Sequence, residues 1–205
     1  MRVAPDGTLR ASVPLHTPLF LVKRMVNTSR GELQAMLRHA RPLIILEDGA
    51  EIGKSHSLRI REGTTLKTQR HGLQIILTLP RGTTREDPDV QEVARKQIIS
   101  ALRREAKGYL PRRLAYLAQQ HGCNYTRIRL SPAAGRWGSC SSTGTICLTI
   151  ALMKLPLDLI DYVIIDELAH TKHMNHSKEF WQCVEQMDPN YTTHRATLKQ
   201  EAPSI

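Results

Sequence analysis

The chain has 205 residues, a formal net charge of +10 and only 4% aromatic residues. That length buries a core as one domain or as two tightly joined lobes, and no apolar stretch is long enough to span a bilayer. A basic surface suits polyanions such as nucleic acid, with solvated Lys and Arg as the plainer reading, while the scarcity of aromatics argues against a base-stacking platform. Pro14, His16 and Pro18 interrupt the N-terminal apolar segment and Lys23-Arg24 follows it, so no signal-peptide core is read there. Cys123, Cys140, Cys147 and Cys183 form no CxxC pair, which points to reduced thiols in a cytoplasmic protein.

In chain order, residues 1–85 read as a β-rich N-terminal region. Phe20 to Val26, Leu43 to Leu46, Leu58 to Ile60 and Leu73 to Leu79 are short apolar or alternating runs bounded by turn residues, each predicted as a strand. Glu32 to His39 is predicted as a short helix after Ser29. Arg81 to Pro88 is a polar connection. Residues 86–205 form the second region. There the period changes, and Val90, Ala94, Ile98, Ala101, Leu102, Ala106 and Leu110 mark one helical stripe. Gly108 and Pro111 predict a break or kink, after which residues 112–120 continue as helix until Gly122. Tyr125 to Leu130 and Thr145 to Ile150 read as strands around a Gly-rich turn containing Arg136 and Trp137. Trp137 is expected as a core plug, and Cys140 and Cys147 as neighbours across a hairpin. Ser139 and Cys140 lack a local base and are weak nucleophile candidates.

The decisive segment is Leu157 to Ala169, almost wholly apolar except for Asp158, Asp161, Asp166 and Glu167. The first two acids suit the positive end of a helix dipole. Asp166 and Glu167 sit where the buried stripe continues into His170, and ionisable groups there are costly without a compensating partner. Asp166-Glu167-Leu168-Ala169-His170 departs from the His-Glu-x-x-His pattern of zinc hydrolases only at its first ligand. Positions 166 and 170 lie about 40° apart on one helix face, so both can reach one ion. Three ligands leave a catalytic metal an open position, and His176 supplies the third once Met174-Asn175 ends the helix. Glu167 would then act on a water polarised by the metal. His173, close to His170, is the rival ligand to Asp166. Beyond it, Ser177 is expected to cap a helix with Phe180, Trp181, Val184 and Met187 on its apolar face, ended by Asp188-Pro189-Asn190. Thr192 or Thr193 would cap a last helix, on which His194 and Arg195 either bind an oxyanion or face solvent.

Arg136-Trp137-Gly138-Ser139-Cys140, Thr145-Ile146-Cys147-Leu148, Glu167-Leu168-Ala169-His170, Met174-Asn175-His176-Ser177 and Phe180-Trp181 together resemble the YgjP-like family of predicted metal-dependent hydrolases, related to SprT-like and other zincin metallopeptidases. The resemblance covers roughly residues 55 to 200. It implies an α+β zincin-like fold, one zinc ion on His170, His176 and Asp166 (the position where the family pattern has His), and Glu167 as general base. Peptide or protein is the implied substrate. In zincins an edge strand beside the metal helix pairs with extended substrate, which makes 145–150 the expected ledge. Some YgjP-like proteins are described as nucleotide (UTP-type) pyrophosphohydrolases, which is the second reading. A non-catalytic metal-binding or nucleic-acid-associated protein is the third. A carboxylate in place of imidazole lowers the net charge of the site by one and should weaken catalysis near neutral pH.

Overall fold

In the computed structural model, described for residues 2–3, 9–10, 13–14, 17–29, 31, 42–132 and 135–205, strands and helices are largely segregated along the chain, giving an α+β architecture. Two short strands, β1 (Arg2–Val3) and β2 (Leu9–Arg10), pair antiparallel. Helix α1 follows at Leu19–Thr28 and buries none of its residues. A strand was expected over 20–26. Leu19, Val22, Met25 and Val26 recur at helical spacing, and Pro18 immediately before the first turn suits a helix start. The helix expected over 32–39 lies outside the described residues.

Residues 43–46 are not a strand either. Here a helix side chain supplies what a ladder would: Gln91 Oε1 accepts from the Ile44 N–H at 2.8 Å, and Gln91 Nε2 donates to the Ile44 carbonyl at 3.0 Å.

A four-stranded sheet comes next, from β3 (Glu51–Ile52), β4 (His56–Gly63), β5 (Lys67–His71) and β6 (Gln74–Pro80) in the order β3-β4-β6-β5. β6 runs parallel to β4 and antiparallel to β5, which it meets through a tight turn at Gly72, φ +60°. Leu58 on β4 and Ile75, Leu77 and Leu79 on β6 turn inward at alternate positions.

That face lies over α2, Pro88–Gln120. Asp87 caps the helix by accepting from the Asp89 N–H at 2.9 Å, and Pro88 occupies the first turn, where its missing N–H is harmless. Where a break or kink was expected at Gly108 and Pro111, the helix runs on without a break. Proline removes one backbone bond, but Leu110 and Leu114 on either side are fully buried, so packing holds the helix through the defect. Gly122 ends it at φ +58°, with the Cys123 N–H reaching back to the Ala118 carbonyl at 2.9 Å.

A second sheet has the order β7-β9-β8, from β7 (Arg127–Ser131), β8 (Gly138–Cys140) and β9 (Thr145–Thr149). β9 is therefore central, and β8 is the edge on the side of the metal-motif helix; this corrects the expectation that 145–150 forms the ledge. Cys140 pairs with Ile146 and Cys147 with Ser139, so the two thiols fall on opposite faces rather than beside each other.

A buried 3-10 turn, Ile150–Lys154, leads to α3, Leu157–Ala169. α3 is buried almost all round, as the central helix of its half should be. The Arg113 guanidinium on α2 grips Asp161 with two bonds of 2.7 and 2.6 Å, tying the two helices together. α3 stops at Ala169, short of Met174-Asn175, where the Thr171 hydroxyl donates to the Leu168 carbonyl at 2.7 Å and the chain turns.

Two helices complete the chain: α4 (Lys178–Met187) and α5 (Tyr191–Leu198). Ser177 occupies the cap position of α4, but its hydroxyl donates to Glu179 Oε2 at 2.6 Å rather than accepting a helix N–H. Asn190, not Thr192 or Thr193, precedes α5. One cluster of buried side chains runs from Leu46 and Leu58 to Phe180 and Val184. No helix among the described residues is long and apolar enough to cross a membrane.

Candidate metal centre

The last turn of α3 presents Asp166 and His170 on one face, and the turn after it brings back His176. One ligand atom from each lies within 4.8 Å of the others, the only such grouping of three or more among the described residues. His170 Nε2 is 3.8 Å from Asp166 Oδ2. Its other nitrogen, Nδ1, is 3.1 Å from the His173 carbonyl, an arrangement that protonates Nδ1 and leaves Nε2 to face the cluster. His173 thus serves through its backbone, and its imidazole is not part of the group.

Phe180 on α4, fully buried, holds both imidazoles from behind, with ring centroids 4.5 Å from His170 and 4.7 Å from His176. His170 and His176 meet edge to face at 4.7 Å.

Glu167 points to the other side, toward β8. The residue is 5% exposed, and Oε2 is buried without a hydrogen-bond partner. Gly138 makes this position available. A methyl group there would lie 2.8 Å from Glu167 Cγ and 2.9 Å from Cδ, so the strand can approach the acid only without a side chain.

Burial, reinforced by the Asp166 charge and opposed by Arg136, pushes the Glu167 carboxyl up to about 8. Burial also raises Asp166, against the pull of His170, His176 and Arg195. Two adjacent acids held in a costly environment beside two imidazoles fit a divalent cation, whose charge would offset their desolvation. The donor set of two nitrogens and one oxygen suits such an ion.

Several other side chains take definite places. Trp137 is half-buried against the core, in keeping with a plug. The Cys140 thiol is pushed up by burial and by Glu167, away from nucleophilic character. His194 does not enter the cluster: its Nδ1 lies 2.7 Å from Asp188 and its Nε2 3.8 Å from Asp158. Arg195 sits over the Trp181 ring at 4.4 Å. Sequence reasoning missed Gly138 and Phe180 as parts of the site. The glycine inside Trp137-Gly138-Ser139 was the available signal, but its meaning depends on which helix packs there.

A family model for the YgjP-like metallopeptidase domain matches residues 1–201. The chain belongs to the YgjP-like family. Membership supports a metal-dependent hydrolase with a domain of metallopeptidase type. A search of curated proteins found no match. Among solved structures, the chain is similar to the metallopeptidase zymogen abylysin of Pyrococcus abyssi, at 26% identity and a TM-score of 0.40 over 44% of this chain and 92% of that one. It is also similar to the metallopeptidase zymogen jannalysin of Methanocaldococcus jannaschii, at 20% identity and a TM-score of 0.40 over 44% of this chain and 93% of that one.

Proposed function

We propose that this YgjP-like chain is a zinc-dependent peptidase in which Asp166, His170 and His176 hold the ion and Glu167 is the general base. The observation that carries this reading is the buried, partnerless Oε2 of Glu167, one residue from a ligand trio. A bound divalent ion would supply Lewis-acid polarisation of the scissile carbonyl and acidify a coordinated water. Next to that positive charge the Glu167 carboxyl ionises more readily than its metal-free value of about 8, toward the range a general base needs at neutral pH. Glu167 Oε2 then takes a proton from the attacking water and returns it to the leaving amine. Gly138 keeps the acid in place, and the edge strand β8 beside it offers backbone groups to an extended peptide. Asp166, as a carboxylate ligand, leaves less positive charge at the site than imidazole would, which favours an alkaline shift in the activity profile.

The test is product analysis on casein and on a nucleoside triphosphate, with and without chelator. The proposal expects peptide release that the chelator abolishes and zinc restores. Chelator-sensitive diphosphate release with casein untouched would replace it by the pyrophosphohydrolase reading.

A further inference from the structure

Beside the ligand cluster, between α4 and α5, lies an open groove of about 530 Å³. Its walls carry three cations, Lys178, Arg195 and Lys199, against one carboxylate, Glu185. Trp181 and Tyr191 add stacked aromatic surface, with centroids 5.7 Å apart and planes 20° from parallel. Trp181 is shared with the site, because its ring also lies 5.5 Å from the His176 ring. A substrate segment leaving the cluster past His176 therefore enters this groove next.

The groove's chemistry selects its occupant. None of Lys178, Arg195 and Lys199 forms a salt bridge among the described residues, so all three charges remain available to a ligand. Arg195 rests 4.4 Å above the Trp181 centroid, which orders the guanidinium, and its charge also reaches Asp166 of the ligand cluster. The Trp181 ring offers a nucleobase little free face, because Tyr191, His176 and Arg195 already lie against it. A small anion on a peptide needs only the cations.

We infer that the α4–α5 groove is a subsite for a carboxylate of the peptide substrate, either an Asp or Glu side chain flanking the scissile bond or the C-terminal carboxylate, with Arg195 and Lys199 as its anchors. The inference rests on the peptidase reading above and names the substrate feature that reading leaves open.

Binding rather than turnover tests it, using the full chain loaded with zinc and carrying Glu167→Gln so that peptides persist. Three alanine-based pentapeptides serve as probes in calorimetric titrations: one with a single glutamate and an amidated end, its glutamine counterpart with an amidated end, and the glutamine peptide with a free carboxylate end. At least one carboxylate peptide should bind fivefold or more tighter than the neutral one, and which one does identifies the source of the carboxylate. The preference should fall to near unity in Arg195→Gln and in Lys199→Glu and survive in Arg195→Lys, with zinc content unchanged throughout. Equal binding of all three peptides, a preference that persists in both charge-removing variants, or tighter binding of a nucleoside triphosphate at the same groove would overturn the inference. Casein turnover by the unmutated chain is measured separately. Its absence would count against the peptidase reading without altering the peptide preferences, and its presence would not rescue a groove that shows none.

Discussion

Two glutamates, one in each half of the molecule, are handled in opposite ways. Glu105 on α2 reaches the turn before β4 and accepts from the Lys54 N–H at 2.7 Å, the Ser55 N–H at 2.9 Å, the Ser55 hydroxyl at 2.7 Å and the His56 N–H at 3.2 Å; its Oε1 also lies 2.6 Å from His56 Nδ1. Burial pulls its carboxyl up, but these bonds outweigh it and the net shift is downward. Glu167 on α3 is more deeply buried, has one oxygen without a partner, and is driven up to about 8. A folded chain leaves an acid in that state only where something outside the chain completes it. Glu105 holds the structure together, whereas Glu167 is held ready by it.

Exchanging the roles experimentally should break the comparison cleanly. Glu167→Gln should lower peptide turnover by roughly 100-fold to 10,000-fold while zinc content and folding persist, because the amide keeps the shape and loses the proton acceptor. Glu105→Ala should do the reverse, costing on the order of 3 kcal/mol in chemical denaturation by orphaning His56 and three backbone N–H groups, with turnover per folded, zinc-loaded chain unchanged. Loss of turnover in the second variant and not in the first would invert the assignment.

The pH dependence of stability in the metal-free chain should separate the two acids again. Glu167 titrates higher in the folded state than its ordinary 4.5, so the folded chain binds that proton more tightly. Its contribution is fully present below about pH 4.5 and is lost as pH rises through about 8, a loss on the order of a few kcal/mol. Glu105, whose value is lowered, contributes above its ordinary 4.5 and loses that contribution on acidification. Denaturation midpoints of the metal-free chain should therefore fall from about pH 4.5 to about pH 8 and level off above that, and Glu167→Gln should flatten that limb. An unchanged limb in the variant would show that Glu167 does not titrate there.

A smaller effect is expected one contact away. Gly138→Ala should lower turnover by roughly tenfold through displacement of the Glu167 carboxylate, with zinc content intact. Equal turnover would mean that the acid tolerates a shift and that β8 does not position it.

What the sequence made legible follows the same division. Helix α2 and strand β6 were readable because each faces the core with a regular period, and α3 because an almost wholly apolar run leads into the metal motif. Asp166, His170 and His176 were readable as one group because two are spaced one helical turn apart and the third follows closely. Strand β5 was not, since Lys67–His71 is wholly polar and lies at a sheet edge with no face to bury. Residues 43–46 look like a strand in composition, yet a distant glutamine satisfies the Ile44 backbone. Which of β8 and β9 forms the edge, and that Gly138 faces Glu167, depend on strand order and helix packing, which local pattern does not encode.

Metal content of the purified chain, compared with that of His170→Ala, is the most direct test of the central claim. Close to one zinc is expected per unmutated chain, with a large loss in the variant, whose fold should persist because Phe180 and the rest of the buried cluster remain. Equal zinc in both proteins, or none in a folded, zinc-exposed unmutated chain, would contradict it.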